Sequence, residues 1–152
     1  MTLKQIPLDI VKNEIEKIFP AFSLDKWHLS PDGINELAES AEVNLTWRHI
    51  KWWDKFEYGD IDVSNEEFFK ILFEQIRPTK GELIVVVENH IKDKTAYCMG
   101  YHDLHEFVET IYPNIYEMDF FQPSDCIFIF PNDNLITILH HSGYVMQFKN
   151  YE

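Results

Sequence analysis

The sequence predicts an α+β fold in one domain: a mainly antiparallel sheet with three or four helices packed on it. Two observations carry this. Helix-type spacing of apolar residues and helix-start signatures occupy most of the chain before residue 80, and short apolar runs separated by turn residues occupy most of the chain after it. With 152 residues, 45% of them hydrophobic, the chain can bury a sizeable core and fits one domain with little room for a second, so residues 1–152 read as a single domain.

The helices come first. Leu8, Val11, Ile15 and Ile18 form one apolar stripe among Asp9, Lys12, Glu14, Glu16 and Lys17, between Pro7, tolerated at a helix start, and Pro20, which stops it. Ser30-Pro31-Asp32 combines an N-cap, a first-turn proline and an acid at the positive helix end, with Ile34, Leu37, Ala38 and Ala41 as the buried face. Across Asn44–Trp53, Leu45, Trp47 and His49 alternate with Thr46, Arg48 and Ile50, which favours a strand over the alternative of a helix. Ser64 to Glu67 is a capping box, the Glu67 side chain reaching back, and it opens a helix carrying Phe68, Phe69, Leu72, Phe73 and Ile76 before Pro78. His102–Ile111 sets Leu104, Phe107, Val108 and Ile111 on one face, with Pro113 as the stop.

Glu82–Glu88 is apolar and β-branched without alternation, the pattern of a central strand covered on both faces. A turn through Asn89–Lys94 joins it to Thr95–Gly100 as a hairpin. The remaining strands are Ile115–Phe121, Asp125–Phe130, Leu135–His141 and Tyr144–Lys149, the last two joined by the tight Ser142-Gly143 turn. Helices first and a meander last places the helices on one side of the sheet.

Charge excludes some functions. Thirteen Lys and Arg face 26 Asp and Glu, a formal charge of −13, which repels nucleic-acid phosphates and anionic lipid and attracts cations or basic proteins. The basic-aromatic stretch Trp47–Trp53 is too small to reverse this. The longest apolar runs, Leu83–Val87 and Cys126–Phe130, have five residues each, far short of a membrane span, and the first residues lack a secretory h-region. Cys98 and Cys126 read as buried free thiols of a reducing compartment, a disulfide requiring neighbouring strands. The expected location is cytoplasmic, with neither membrane nor nucleic acid as partner.

Candidate chemistry is sparse. His102, His105, Glu106 and Glu109 share one helix region at metal-compatible spacing, but no second helix supplies matching ligands, so no zinc or iron and no cofactor is expected. His140 and His141, taken as strand neighbours, point to opposite faces and cannot grip one ion, leaving one of them available as an acid or base. Ser142 lacks a nucleophile elbow, and Pro78–Gly81 lacks the spacing of a phosphate loop.

Charge distribution says more. Between Lys94 and Lys149 lie 54 residues without Lys or Arg, holding Asp103, Glu106, Glu109, Glu117, Asp119, Asp125 and Asp133. A second acidic cluster is Glu57, Asp60, Asp62, Glu66 and Glu67. Tyrosines interleave with the first group, and tyrosine is a typical interface anchor. The residues expected to bind a basic protein partner are Asp103, Glu106, Glu109, Tyr116, Glu117, Asp119 and Tyr144, and at least four of the seven acids of the base-free stretch are expected to be exposed and unpaired with Lys or Arg.

The ending, Cys126-Ile-Phe-Ile-Phe-Pro131 followed by Leu135-Ile-Thr-Ile-Leu-His-His-Ser-Gly-Tyr144, resembles the terminal hairpin of small bacterial immunity proteins that neutralise polymorphic or contact-dependent toxins. The resemblance covers the last third of the chain and implies a cytosolic single domain that binds a partner; such families share no catalytic residues, so it carries over no residue roles. The expectation is therefore a non-enzymatic acidic binding protein of the bacterial cytosol that neutralises a basic, nuclease-like toxin domain. Two alternatives stand beside it: a small enzyme or metal-binding protein using His102/His105 or His140/His141, and a structural or assembly subunit.

Overall fold

A computed structural model describes residues 3–24, 29–79, 81–87 and 95–151. Seven strands, β1 (Lys4–Pro7), β2 (Asn44–His49), β3 (Glu82–Val87), β4 (Thr95–Gly100), β5 (Cys126–Phe130), β6 (Leu135–Leu139) and β7 (Tyr144–Lys149), form one sheet in the order β1-β4-β3-β5-β6-β7-β2, antiparallel throughout. Among the described residues, five helical segments cover it: α1 (Leu8–Ile18), α2 (Pro31–Ala41), α3 (Trp53–Glu57), α4 (Asn65–Phe73) and α5, residues 101–116. The α+β class and the antiparallel sheet are as the sequence predicts.

The helices are not on one side. β3, β5 and β6 are buried on both faces, apart from Glu82, and two cores result. Ile84, Val86, Ile127, Ile129, Ile136, Ile138, Met146 and Phe148 meet α1 and α2 on one face. Leu83, Val85, Phe128, Phe130, Leu135 and Val145 meet α3, α4 and α5 on the other. Strands with no polar face need two covers, because a bare apolar face would stay in water.

Local signals hold where a side chain acts on its own backbone. Ser30 Oγ accepts the Gly33 N–H at 3.3 Å and Ser64 Oγ accepts the Glu67 N–H at 3.2 Å, capping α2 and α4. The hairpin turn expected at Asn89–Lys94 lies outside the described residues, but β3 and β4 pair antiparallel as a hairpin requires. Ile115–Phe121 is not a strand. The helix expected to stop at Pro113 runs on to Tyr116, ending at Glu117, whose φ of 56° is left-handed. It does so through a π-turn at Phe107–Ile111, separated from the proline by Tyr112, where the widened ladder accommodates a residue that cannot donate. β1 has no apolar alternation to announce it. It is an edge strand held by backbone pairing to β4, with Lys4 exposed and Pro7 at its end, both suited to an edge.

Candidate functional site

The expected partner-binding residues divide. Glu106, Glu109, Glu117 and Asp119 are exposed, and among the described residues none lies within ion-pair distance of a Lys or Arg; Glu109 sits 3.9 Å from the His105 ring. Asp103 is 7% exposed, with no hydrogen-bond partner at Oδ2 among the described residues, so it belongs to the interior and not to a steering surface. Tyr116 turns inward: its hydroxyl lies 2.9 Å from that of Tyr97, and its ring lies 4.5 Å from that of Tyr112. Tyr144 is on the other face of the sheet, its ring 5.6 Å from Trp47 and 4.8 Å from His49. Of the remaining acids, Asp133 is tied to the Thr79 backbone and hydroxyl, and Asp125 is 2% exposed.

What the sequence keeps apart, the fold joins. Phe68 stacks on Phe121 with ring centroids 4.3 Å apart, which locks the start of α4 against the end of the α5 region. The cluster Glu57, Asp60, Asp62, Glu66 and Glu67, all exposed, thereby shares one helical layer with Glu106, Glu109, Glu117 and Asp119. Residues 53–73 carry six acids against two bases, and residues 101–121 carry five against none. Tyr58, Ile115 and Met118 are exposed on the same layer. Between α4 and α5 lies a mainly apolar groove of about 610 Å³ lined by Phe69, Phe73, Tyr101, Leu104, Gly81, His102 and His105. Burial raises the Tyr101 hydroxyl above its usual pKa, so it stays neutral there.

The second site is at the β6–β7 turn. Its backbone is held by His140 N–H to Tyr144 O at 2.8 Å, Gly143 N–H to His140 O at 2.9 Å, and the Trp53 indole N–H to His141 O at 3.2 Å. Gly143 has φ 87°, and a Cβ there would stand 2.3 Å from Trp53 Cγ, so only glycine fits. The strand ends at Leu139, so alternation does not govern the two histidines. Their rings stack at 4.1 Å, contrary to the expectation of opposite faces. The pairing Cys126–Leu139 brings Asp125 to this end of the sheet, where its Oδ1 accepts the His141 backbone N–H at 2.6 Å and lies 3.0 Å from His141 Nδ1. A cleft of about 360 Å³ opens beside them, bounded by Trp47, Tyr144, Ser142 and the start of α2. Among the described residues Asp125, His140 and His141 are the one group of three or more metal-ligating side chains placed close together. His102 and His105 gain no such companions. Sequence reasoning missed Asp125 as a site residue because only strand register makes it a neighbour of the histidines.

The cysteines are free. Cys98 faces α1 and α2 while Cys126 faces α5, and β3 separates their strands, which removes the disulfide alternative. Burial, then Glu82 beside it, pushes the Cys98 thiol up to about 11, and burial pushes Cys126 higher still, so neither is poised as a nucleophile. No helix among the described residues is long and apolar enough to cross a membrane. Comparison with known proteins yields no matching family model, curated protein or solved structure.

Proposed function

We propose that the protein is a non-enzymatic binding protein that docks a basic protein partner on the α3–α4–α5 layer, acting in the bacterial cytosol as an immunity protein against a nuclease-like toxin domain. The carrying observation is the merger of two acidic segments, some 40 residues apart in sequence, into one layer that also exposes Tyr58, Ile115 and Met118. Nuclease clefts are basic because they hold phosphates, and a surface of carboxylates with apolar anchors among them competes for the same cleft. Its field speeds the encounter, while the anchors and the groove between α4 and α5 supply short-range contact.

The test is capture of the partner from the native cell by the wild-type chain and by a Glu106→Gln/Glu109→Gln/Asp119→Asn variant, followed by assay of the captured protein. The expected partner is basic, loses its nuclease activity when bound, and associates more slowly with the variant. Association with the wild type should also slow as the Debye length falls from ~10 Å at 0.1 M salt to ~3 Å at 1 M. A partner whose association rate ignores both salt and the substitutions would reduce the acidic layer to a solubility device.

A further inference from the structure

We infer that Asp125, His140 and His141 form a binding site for a divalent transition-metal ion of the zinc, nickel or cobalt class. One donor atom from each of the three residues can be chosen so that all lie within 4.8 Å of one another. The donors are two imidazoles and a carboxylate, the set that this class of ion prefers over calcium or magnesium. His141 Nδ1 and Asp125 Oδ1 are 3.0 Å apart. Two ligands of one tetrahedral ion stand about 3.4 Å apart, given metal–donor bonds of about 2.0–2.1 Å. An ion can therefore replace the shared proton with little movement of either group.

The surroundings support the ligands. Asp125 is 2% exposed and anchored by the His141 backbone N–H, the kind of outer hydrogen bond that orients a ligating carboxylate. The turn carrying both histidines is pinned by Trp53, and the cleft beside it admits water as a fourth ligand. A chain of formal charge −13 also concentrates cations around it.

Ligation by His140 gives up a hydrogen bond to Ser142. His140 Nδ1 accepts the Ser142 N–H at 3.1 Å. If Nδ1 ligates, its lone pair goes to the metal; if Nε2 ligates, Nδ1 must carry the proton. Either way the Ser142 N–H is released, and since Ser142 is exposed, water takes its place. Metal binding should therefore leave a mark on the Ser142 amide, which plain surface adsorption would not.

The experiment uses the full chain without affinity tag, stripped with chelator, and titrated with Zn²⁺ by calorimetry and with Co²⁺ by visible absorption. One ion per chain is expected, with the intense absorption of low-coordinate Co²⁺ and a displaced, faster-exchanging Ser142 amide. His141→Gln and Asp125→Asn should each weaken binding at least ~10-fold, and His102→Ala/His105→Ala should leave it unchanged. Should Asp125→Asn fail to fold, His141→Gln, at a half-exposed side chain, decides alone. Absence of binding, or binding that survives His141→Gln and is lost with His102 and His105, overturns the assignment.

Discussion

The two faces of the sheet are equally buried and built from different material. The α1/α2 face is largely aliphatic, with Val11, Ile15, Ile18 and Ile34 from the helices against Ile84, Val86, Ile127, Ile129, Ile136 and Ile138. The α3–α5 face is largely aromatic: Trp53, Phe68, Phe73, Phe107, Tyr112, Phe120 and Phe121 against Phe128 and Phe130. In β5 the residues Ile127, Phe128, Ile129 and Phe130 send every second side chain to each side, so the alternation is one of shape and not of polarity. Branched aliphatic residues fill the space under two regular helices. Flat rings instead meet edge to face, as Phe73 does with Phe128 and Phe130, and leave gaps between short helical pieces. The groove between α4 and α5 and the acidic layer lie on the aromatic side, where the covering helices are irregular.

Truncating one buried residue on each face should separate the two layers most strongly. Phe128 is fully buried and touches the rings of Phe73 and Phe120. Phe128→Ala is expected to cost ~3–5 kcal/mol, and Ile129→Val, its fully buried neighbour on the aliphatic face, only ~0.5–1.5 kcal/mol. Urea unfolding with an unchanged m-value measures both. Similar costs for the two would mean that the aromatic layer is loosely packed and collapses around the loss.

Next in size is the joint between the aromatic layer and the histidine turn. Gly143→Ala forces a side chain onto a left-handed backbone and into Trp53, which should cost at least ~2 kcal/mol. It should also shift the indole N–H resonance of Trp53, the donor to His141 O. An unshifted indole and unchanged stability would show that Trp53 does not hold the turn.

Features set by near neighbours in the chain can be read from sequence, and those set by tertiary placement cannot. Ser30, Ser64 and the stripe of α1 were legible because a cap or a helical repeat acts within a few residues. The unbroken apolar run of β3 pointed to two covers, but helix-first, strand-last order pointed to one, and the burial of β3, β5 and β6 on both faces decides for two. Asp103 and Asp125 could not be told from Glu106 and Glu109, since all are acids without a nearby base and only tertiary placement separates them. The stacking of His140 on His141 depended on β6 ending at Leu139, one residue before alternation would have parted them. The helix beyond Pro113 was hidden because a π-turn has no hydropathy signature.

The thiols give a smaller effect, again one on each face. Folded Cys98 keeps its proton up to about pH 11, whereas a thiol in the unfolded chain releases it near 9.0. The folded state then binds more protons than the unfolded state between those values, so this group's contribution to stability is complete below pH 9.0 and is lost as pH rises towards 11. Cys98→Ala should flatten that part of the stability profile. Alkylation should follow the same order: Cys98 slow at about pH 8 and faster above about pH 10, Cys126 reacting only once the chain unfolds. Equal reactivity of both thiols in the native protein would contradict the burial of Cys126.

The smallest expected effect concerns the acidic layer itself. Glu106, Glu109 and Asp119 are exposed, and neither an ion pair to Lys or Arg nor a hydrogen bond to their carboxylates ties them down among the described residues. Exposed carboxylates with no Lys or Arg in ion-pair distance among the described residues contribute little to the fold, so Glu106→Gln/Glu109→Gln/Asp119→Asn should change unfolding free energy by less than ~0.5 kcal/mol each, in either direction. The net direction is expected to be slightly stabilising at low salt, because three like charges leave a surface already rich in them, and the gain should fade as salt screens the remainder. Denaturation of wild type and variant at low and high salt measures it. A loss of several kcal/mol would mean that these carboxylates are structural. The difference in partner association rate assigned to them would then report a damaged fold, not a lost field.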